Sequence, residues 1–325
     1  MFRTLAGLVI VAGCFAAPAQ ARDCGTPSPP VVDITSNRFY SDKNHSIVDT
    51  ALWEKRKAAM KPLEDFRASM SRFASRSIAG SRDWSSCVAK GLRGWAEGGA
   101  MLGVMNEIQA KFERKWALAA FSMAYLMVKP DIRAEDQAMI EPWLDRVAAE
   151  VAKDYAGRKR NYNNHYYWVG FALGASASAT GHRAHWALAA ETYREAMRHI
   201  EPDGSLPKET ARAGMALHYH AFSLQPLLML AELAARRGED WYPLERGAIH
   251  RLAAFVHEGF ANPAKAARLA GAEQKPLGRF QMGWMPFYER RFPGRLPLAP
   301  ILGSSDIWFE MTGGNMSALA RIWVR

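Results

Sequence analysis

From Ala51 onward, apolar residues recur three and four positions apart in block after block, the spacing that lines up one face of an α-helix. The blocks are ALWEKRKAAMKPLEDFRASM, CVAKGLRGWAEGGAML, KFERKWALAAFSMAYLMV, EDQAMIEPWLDRVAAEVAKDY, YYWVGFALGASASAT, HWALAAETYREAMRHI, KETARAGMALHYHAFSLQPLLMLAELAARR and ERGAIHRLAAFVHEGF. Short turns join several of them: KPD, TGHR, PDGS and RRGEDW. Seven or more helices with brief connections pack as antiparallel hairpins, so an all-α fold is predicted. No tandem motif repeats, which argues against a consensus-repeat solenoid. Two stretches depart from the helical period. One is CGTPSPPVVDITSNRFYSDKNHSIVDT, Pro- and Asp-rich, which reads as an extended arm; the other is the tail from GRFQMGWMPFYERRF to ALARIWVR.

The first residues read as an export signal. Arg3 precedes the apolar run LAGLVIVAGCFAA, and Ala19-Gln20-Ala21 fits a signal-peptidase site before Arg22. A 1–21 signal peptide followed by a single domain over 22–325 is the expected organisation, with the product in the periplasm or secreted. VAGC at 11–14 also matches a lipoprotein cleavage site before Cys14. No later segment approaches about 20 uninterrupted apolar residues, so no stable membrane anchor is expected. Cleavage after Ala21 leaves Cys24 and Cys87, an even pair that an oxidising compartment favours as a disulfide.

Charge narrows the partner. The formal net charge is +10, and the signal carries only Arg3 of it, so the exported chain stays strongly basic. Such a surface attracts polyanions. Nucleic acid is the usual first guess, and export argues against it, which leaves an acidic polysaccharide or an anionic membrane surface.

Familiar catalytic motifs are missing. HEGF at His257 lacks the second histidine of a zinc-protease helix, and His218 and His220 face nearly opposite sides of any helix. His182 and His185 have workable spacing without an evident third ligand in the sequence. There is no phosphate-binding glycine loop and no nucleophile elbow. Neither a metal nor a cofactor is expected. What remains is NNHYYWVG, residues 163–170, where two amides, an imidazole, two phenols and an indole crowd the start of a predicted helix. Backbone N–H groups at a helix start favour anions. In KETARAGMALHYHAF, Arg212 and Tyr219 stand seven residues apart, about two turns, which predicts one face of one helix.

Together these residues resemble the helical-toroid alginate lyases, polysaccharide lyase family five. The resemblance rests on NNHYYW, on the run from Arg212 to His220 followed by LQPLLMLAELA, and on Gln109, Phe112 and Trp116 in QAKFERKW. It implies an incomplete α/α toroid with a central cleft and a lyase acting on poly-β-D-mannuronate. It also implies catalytic roles for Asn164, His165, Arg212 and Tyr219. Asn164 and Arg212 would neutralise the uronate carboxylate, Tyr219 would deliver a proton to the leaving oxygen, and either Tyr219 or His165 would take the C5 proton. Tyr219 is expected to have a lowered pKa beside Arg212 and His165. Gln109 and Trp116 would contact neighbouring sugars, and Trp168, one turn on, would back Asn164 and His165 or line a subsite. Where the family often has a tyrosine this chain has Phe112. The arm SNRFYSDKN resembles a mobile lid, with Arg38, Tyr40 and Lys43 closing over an anionic chain, and RKRNY at 158–162 adds positive charge. Gly170, Gly174 and Ala175 would let the NNHYYW helix pack closely. The expected partner is therefore an anionic polysaccharide, not nucleic acid, with the chain acting as a monomer.

Two other classes fit parts of the pattern. A glycoside hydrolase needs two opposed carboxylates, and Glu209 is the best-placed acid. A non-catalytic polyanion-binding protein would use the same charge and aromatics without needing the Tyr219 hydroxyl.

Overall fold

The computed structural model describes residues 23–156 and 162–324. The expected signal peptide and most of the 158–162 charge run lie outside the described residues. The helices, in chain order, are α1 (Thr50–Ile78), α2 (Ser85–Glu97), α3 (Ile108–Val128), α4 (Ala134–Tyr155), α5 (Asn164–Thr180), α6 (Arg183–His199), α7 (Pro207–Thr210), α8 (Ala216–Arg236) and α9 (Leu244–Ala261). After them come α10 (Ala264–Ala270), α11 (Met285–Arg291), α12 (Ala299–Leu302), a two-stranded ribbon β1 (Trp308–Phe309) and β2 (Gly314–Asn315), and α13 (Met316–Trp323).

Neighbour relations arrange the long helices in two concentric rows. α1, α3, α5 and α8 pack side by side in that order, and α2, α4, α6 and α9 include the partners that back them. This is an incomplete α/α toroid, as the resemblance implied. α3 and α5 are buried around almost their whole circumference, the expected state of a helix with helices on every side. α5 touches α3, α4, α6 and α8. It fits because its small residues face its neighbours: a Cβ on Gly170 would come within 2.5 Å of Thr192, and one on Gly174 within 2.7 Å of Leu230. A larger residue at either position forces the helices apart, and overpacking of that kind typically costs about 1–3 kcal/mol.

The extended N-terminal arm is tied down at its start and folded at its middle. Cys24 and Cys87 form the expected disulfide across 63 residues, a loop length for which about 2–4 kcal/mol is typical. The Trp95 indole donates to the Ser28 carbonyl at 2.9 Å, and Ile34, fully buried, bridges to Met105. At the other end of the chain the β ribbon is pinned to α1, the Asn315 N–H donating to the Ser75 hydroxyl at 3.0 Å.

One predicted helix is broken. The block from Lys208 to Arg237 is not continuous: α7 ends at Thr210, Ala213 takes a left-handed φ of 48°, and α8 starts at Ala216. Arg212 therefore precedes the helix that carries Tyr219, which corrects the shared-face expectation. The break is held from both sides. His220 in α8 accepts the Leu206 N–H on Nε2 at 2.8 Å, and its Nδ1 lies 2.7 Å from the Ala216 carbonyl, to which it must donate. Gln274 contributes a second clamp, accepting the Leu217 N–H and donating to the Ala213 carbonyl, both at 2.9 Å.

This histidine makes stability depend on pH. Burial holds His220 at about 4, against the Ala216 carbonyl and Asp203, which pull the other way. Its folded pKa is depressed, so between the two values the unfolded chain binds the proton first. The contribution is complete above an unfolded pKa near 6.5, is lost as pH falls toward 4, and changes no further below that. A depression of roughly two units is worth on the order of 3 kcal/mol. Urea unfolding from pH 7 to pH 4 should show that loss, and His220→Phe should be less stable at pH 7 but flatter across the range. Equal slopes for the two proteins would show that His220 is not responsible.

Candidate active site

The first turns of α5 and α8 and the N-terminal half of α3 meet at one end of the inner row. Asn163 caps α5, its Oδ1 accepting the His165 N–H at 3.0 Å. The Asn164 N–H, the next free donor, is taken by Glu209 Oε1 at 2.5 Å, and Asn164 Nδ2 reaches Glu209 Oε1 and Oε2 at 3.2 and 3.1 Å. A carboxylate thus sits at the α5 N-terminus, where partial positive charge favours it. Burial raises the Glu209 pKa, while Arg212 and the Asn164 donors lower it. Glu209 and Asn164 are both fully buried. An amide nitrogen carries two hydrogens, so a contact shared between two carboxylate oxygens leaves one for a ligand.

Arg212 projects from the broken turn. Its guanidinium carbon lies 4.8 Å from the Tyr219 ring centre, and its Nε is 3.6 Å from Glu209 Oε2. The pair predicted from sequence spacing does meet, through a turn rather than along a helix. His165 stacks on Phe112 with ring centres 3.7 Å apart and planes at 17°, and Trp116 lies 6.0 Å away. Lys115 Nζ approaches His165 Nδ1 at 2.9 Å. Desolvation, then Lys115, Arg212 and His45, hold the His165 pKa well below the ordinary imidazole value.

The arm closes over these groups. Tyr40 pairs across to Val48, and the turn between them is built on the Asp42 carboxylate, which accepts from the Asn44, Ser46 and Ile47 N–H groups at 3.1, 2.8 and 2.7 Å. Desolvation raises Asp42, yet those donors and the Ser46 hydroxyl together lower it to about 2. This turn places His45, at a left-handed φ of 56°, against both candidate catalytic groups. Arg212 Nη1 donates to His45 Nδ1 at 2.9 Å, and the Tyr219 hydroxyl donates to the His45 carbonyl at 3.3 Å. Tyr40 also shares a hydrogen bond with Tyr219. Arg38 and Lys43 are exposed beside this turn.

Several expectations need correction. The Tyr219 pKa is raised, not lowered: burial pushes it up, Tyr40 and Glu209 add to that, and Arg212 opposes them without prevailing. Trp168 is fully buried and donates its indole N–H to the Phe222 carbonyl at 3.0 Å, so it backs the site and lines no subsite. Gln109 is buried, donating at 2.8 Å to Glu113, itself held by Arg56 at 2.9–3.0 Å. That network joins α1 to α3; it does not point a sugar-binding amide at the cleft. Glu209, the best acid for a glycosidase, is committed to Asn164 and Arg212. His182 and His185 do have a third group beside them, since Asp145 lies 3.1 Å from His185 Nδ1 and 3.7 Å from His182 Nε2. His182 also caps α6, its Nδ1 accepting the His185 N–H at 3.3 Å; burial and His182 lower the His185 pKa, and the three groups lie close enough together to share a metal ion.

Sequence reasoning missed His45 and Lys115. His45 stands one residue beyond the stretch read as a lid. Lys115 ends the charged run Glu113-Arg114-Lys115, and nothing in that run marks it as the one that meets His165. The strongest sign of a ligand site comes from orphaned atoms: Asn164 Oδ1, Arg212 Nε and the Trp116 indole nitrogen are buried without a hydrogen-bond partner among the described residues. Buried polar groups without partners are uncommon; others lie elsewhere in the molecule, and these three belong to the start of α5, the turn before α8 and α3, which meet here.

Comparison with known proteins gives the same family as the motifs. A family model described as alginate lyase matches residues 33–266. A protein named polysaccharide lyase from Stenotrophomonas maltophilia (strain K279a) is 39% identical over 274 residues, covering 83% of this chain and 82% of its own. An alginate lyase from Azotobacter chroococcum mcd 1 is 32% identical over 266 residues, covering 78% and 72%. Among solved structures, alginate lyase A1-III from Sphingomonas species A1 superposes with a TM-score of 0.79 at 26% identity, covering 92% of this chain and 87% of its own. A form of A1-III complexed with tetrasaccharide reaches 0.82 at 26% identity, covering 94% and 88%.

Glu209 generates the prediction here. Glu209→Gln places an amide N–H against the donors of Asn164, which leaves buried donors unpaired at about 1–3 kcal/mol. Denaturant unfolding should show a loss of that size. No loss would mean that Glu209 does not orient Asn164 in this way.

Proposed function

Because this chain belongs to the alginate lyase family, we propose that it cleaves poly-β-D-mannuronate by β-elimination, with Asn164, His165, Arg212 and Tyr219 as its reaction centre. Its activity is that of a polysaccharide lyase on an anionic polysaccharide. The observation that carries the finer reading is the convergence of Arg212 on the Tyr219 ring beside buried, unpartnered polar atoms of Asn164 and Arg212.

The chemistry follows from the substrate. The C5 proton of a uronate is weakly acidic because the adjacent carboxylate opposes a growing negative charge. Donors that meet the carboxylate relieve that opposition, most of all where charge develops in the transition state. Arg212 supplies a charged fork and Asn164 a free amide hydrogen. The C5–H bond then breaks, its electron pair forms the C4–C5 double bond, and the C4–O bond breaks with a proton passing to the leaving oxygen.

In this reading Tyr219 carries both transfers. Burial keeps its hydroxyl protonated, the form needed to donate to the leaving oxygen. In β-D-mannuronate the C5 proton and the C4 oxygen lie on the same face of the ring, so one phenol can serve both; in guluronate they lie on opposite faces. Taking the C5 proton requires that Tyr219 first lose its own proton to solvent, which Arg212 favours; the proton then taken from C5 is the one delivered to the C4 oxygen, and the phenolate is restored. Trp116 and Phe112 present aromatic surface to neighbouring sugars. The leader pattern and the Cys24–Cys87 bond support action in the periplasm.

The test is a panel of polymannuronate, polyguluronate and polyglucuronate, scored by ultraviolet absorbance of the new double bond and by reducing ends. Wild type should be most active on polymannuronate, with both signals rising together and surviving chelator. Tyr219→Phe should lower turnover about 10²-fold or more, with oligosaccharide binding retained. Reducing ends without absorbance would mean hydrolysis, and near-normal turnover in Tyr219→Phe would favour a different proton carrier.

A further inference from the structure

Lys115 is fully buried in α3, inside a block otherwise given to the core. Its Nζ stands 2.9 Å from His165 Nδ1 and 2.8 Å from the Tyr155 hydroxyl. It also lies 4.0 Å from the Phe112 ring centre and 4.9 Å from that of Trp116. Burying an ammonium is costly unless its hydrogens find acceptors and its charge a favourable field. Aromatic faces provide the field. The acceptor on the α5 side is an imidazole nitrogen, and that choice constrains the imidazole.

An ammonium has three N–H donors and no lone pair. A ring nitrogen 2.9 Å from it must therefore present its own lone pair. The single proton of a neutral imidazole then rests on the other nitrogen, Nε2. Nor can the ring take a second proton at Nδ1, because two cations would face each other at that distance in a site with little water. Phe112 fixes the plane of the ring by stacking on it.

We propose that Lys115 is a positioning residue that locks His165 in its Nε2–H form, leaving Nε2 to face the substrate as a donor. The tautomer rests on the 2.9 Å contact and on Lys115 being an ammonium; the role of the donor rests on the lyase reading given above. His165 joins Arg212 and Asn164 as a third donor for the carboxylate, and the site gains a neutral donor that does not repel Arg212. Among the described residues the charged and titratable groups acting on the ring are Lys115 on α3, Arg212 before α8 and His45 on the arm, and none of them is a carboxylate that would favour the imidazolium.

Nitrogen NMR on protein labelled with 15N-histidine reads the tautomer directly, with the His165 signals assigned by their loss in His165→Gln. Wild type should show a protonated Nε2 and a bare Nδ1 from pH 8 to about 5, within the range where an ordinary histidine titrates. Lys115→Met, which keeps the length and the apolar stem, should mix the tautomers and move the titration up. Its turnover should fall by about 10-fold or more with KM little changed, since a preorganised donor acts mainly in the transition state. His165→Gln keeps an N–H donor and should retain at least 10-fold more turnover than His165→Ala. A wild-type spectrum with the proton on Nδ1 overturns the lock, and His165→Gln as inactive as His165→Ala overturns the donor role. If Lys115→Met does not fold, the wild-type spectrum and the two His165 variants decide both points. Failure of wild type to eliminate any polyuronate would sink the lyase reading while leaving the spectrum to judge the tautomer.

Discussion

A row of antiparallel hairpins forces every inner helix to run the same way, and the site depends on that constraint. α3, α5 and α8 each bring their N-terminal part to one rim, where unpaired backbone N–H groups carry partial positive charge. The rim is thus suited to anions before any side chain is considered. Glu209 shows how strongly, since its carboxylate is drawn into the start of α5 and bonds the Asn164 N–H at 2.5 Å. From that anchor follow the pose of Asn164 and the direction of Arg212. The same polarity serves a uronate chain, whose repeated charges meet a rim built to receive them.

Charged groups taken out of water then fix the angles between helices. Arg56 and Glu113 join α1 to α3 through a forked pair, and Lys115 joins α3 to α4 and α5 through Tyr155 and His165. Removing one member of such a pair leaves the other buried and uncompensated, typically at about 3–5 kcal/mol. These links add less to net stability than apolar packing of the same volume would. What they add is direction: a hydrogen bond fixes where a ring or amide points, which packing alone does not.

How much of this could be read from the chain depends on the kind of information each feature carries. The helical hairpins were legible because burial writes itself as a 3.6-residue period, and the polar cluster at Asn164 and His165 was legible because it interrupts that period at a helix start. Arg212 and Tyr219 were found for a reason that was only half right. Their spacing suited one helix, and Ala213 breaks it, a change of backbone that leaves the pattern of apolar positions almost intact. Trp168 was assigned to the cleft because its neighbours are there, whereas the period places it one turn inward, against Phe222. The Tyr219 shift went the wrong way because nearby positive charge is visible in a sequence and desolvation is not. Lys115 and His45 act across tertiary contacts spanning 50 and 167 residues, and no local pattern reports those.

The closed arm gives the last step. His45 meets Arg212 with a neutral imidazole and Tyr219 with a backbone carbonyl, and its pKa is held down by burial and by Arg212 and Arg38. A neutral acceptor satisfies a guanidinium less well than a carboxylate does, because hydrogen bonds between two ions are roughly twice as strong. His45 therefore keeps Arg212 oriented and partly paired in the free protein without competing seriously with a uronate. The Asp42 turn, by contrast, is bonded through its own backbone and stays intact whether or not His45 holds Arg212. Arg38 and Lys43 stand exposed beside that turn, so the arm presents positive charge outward while His45 faces Arg212 inward.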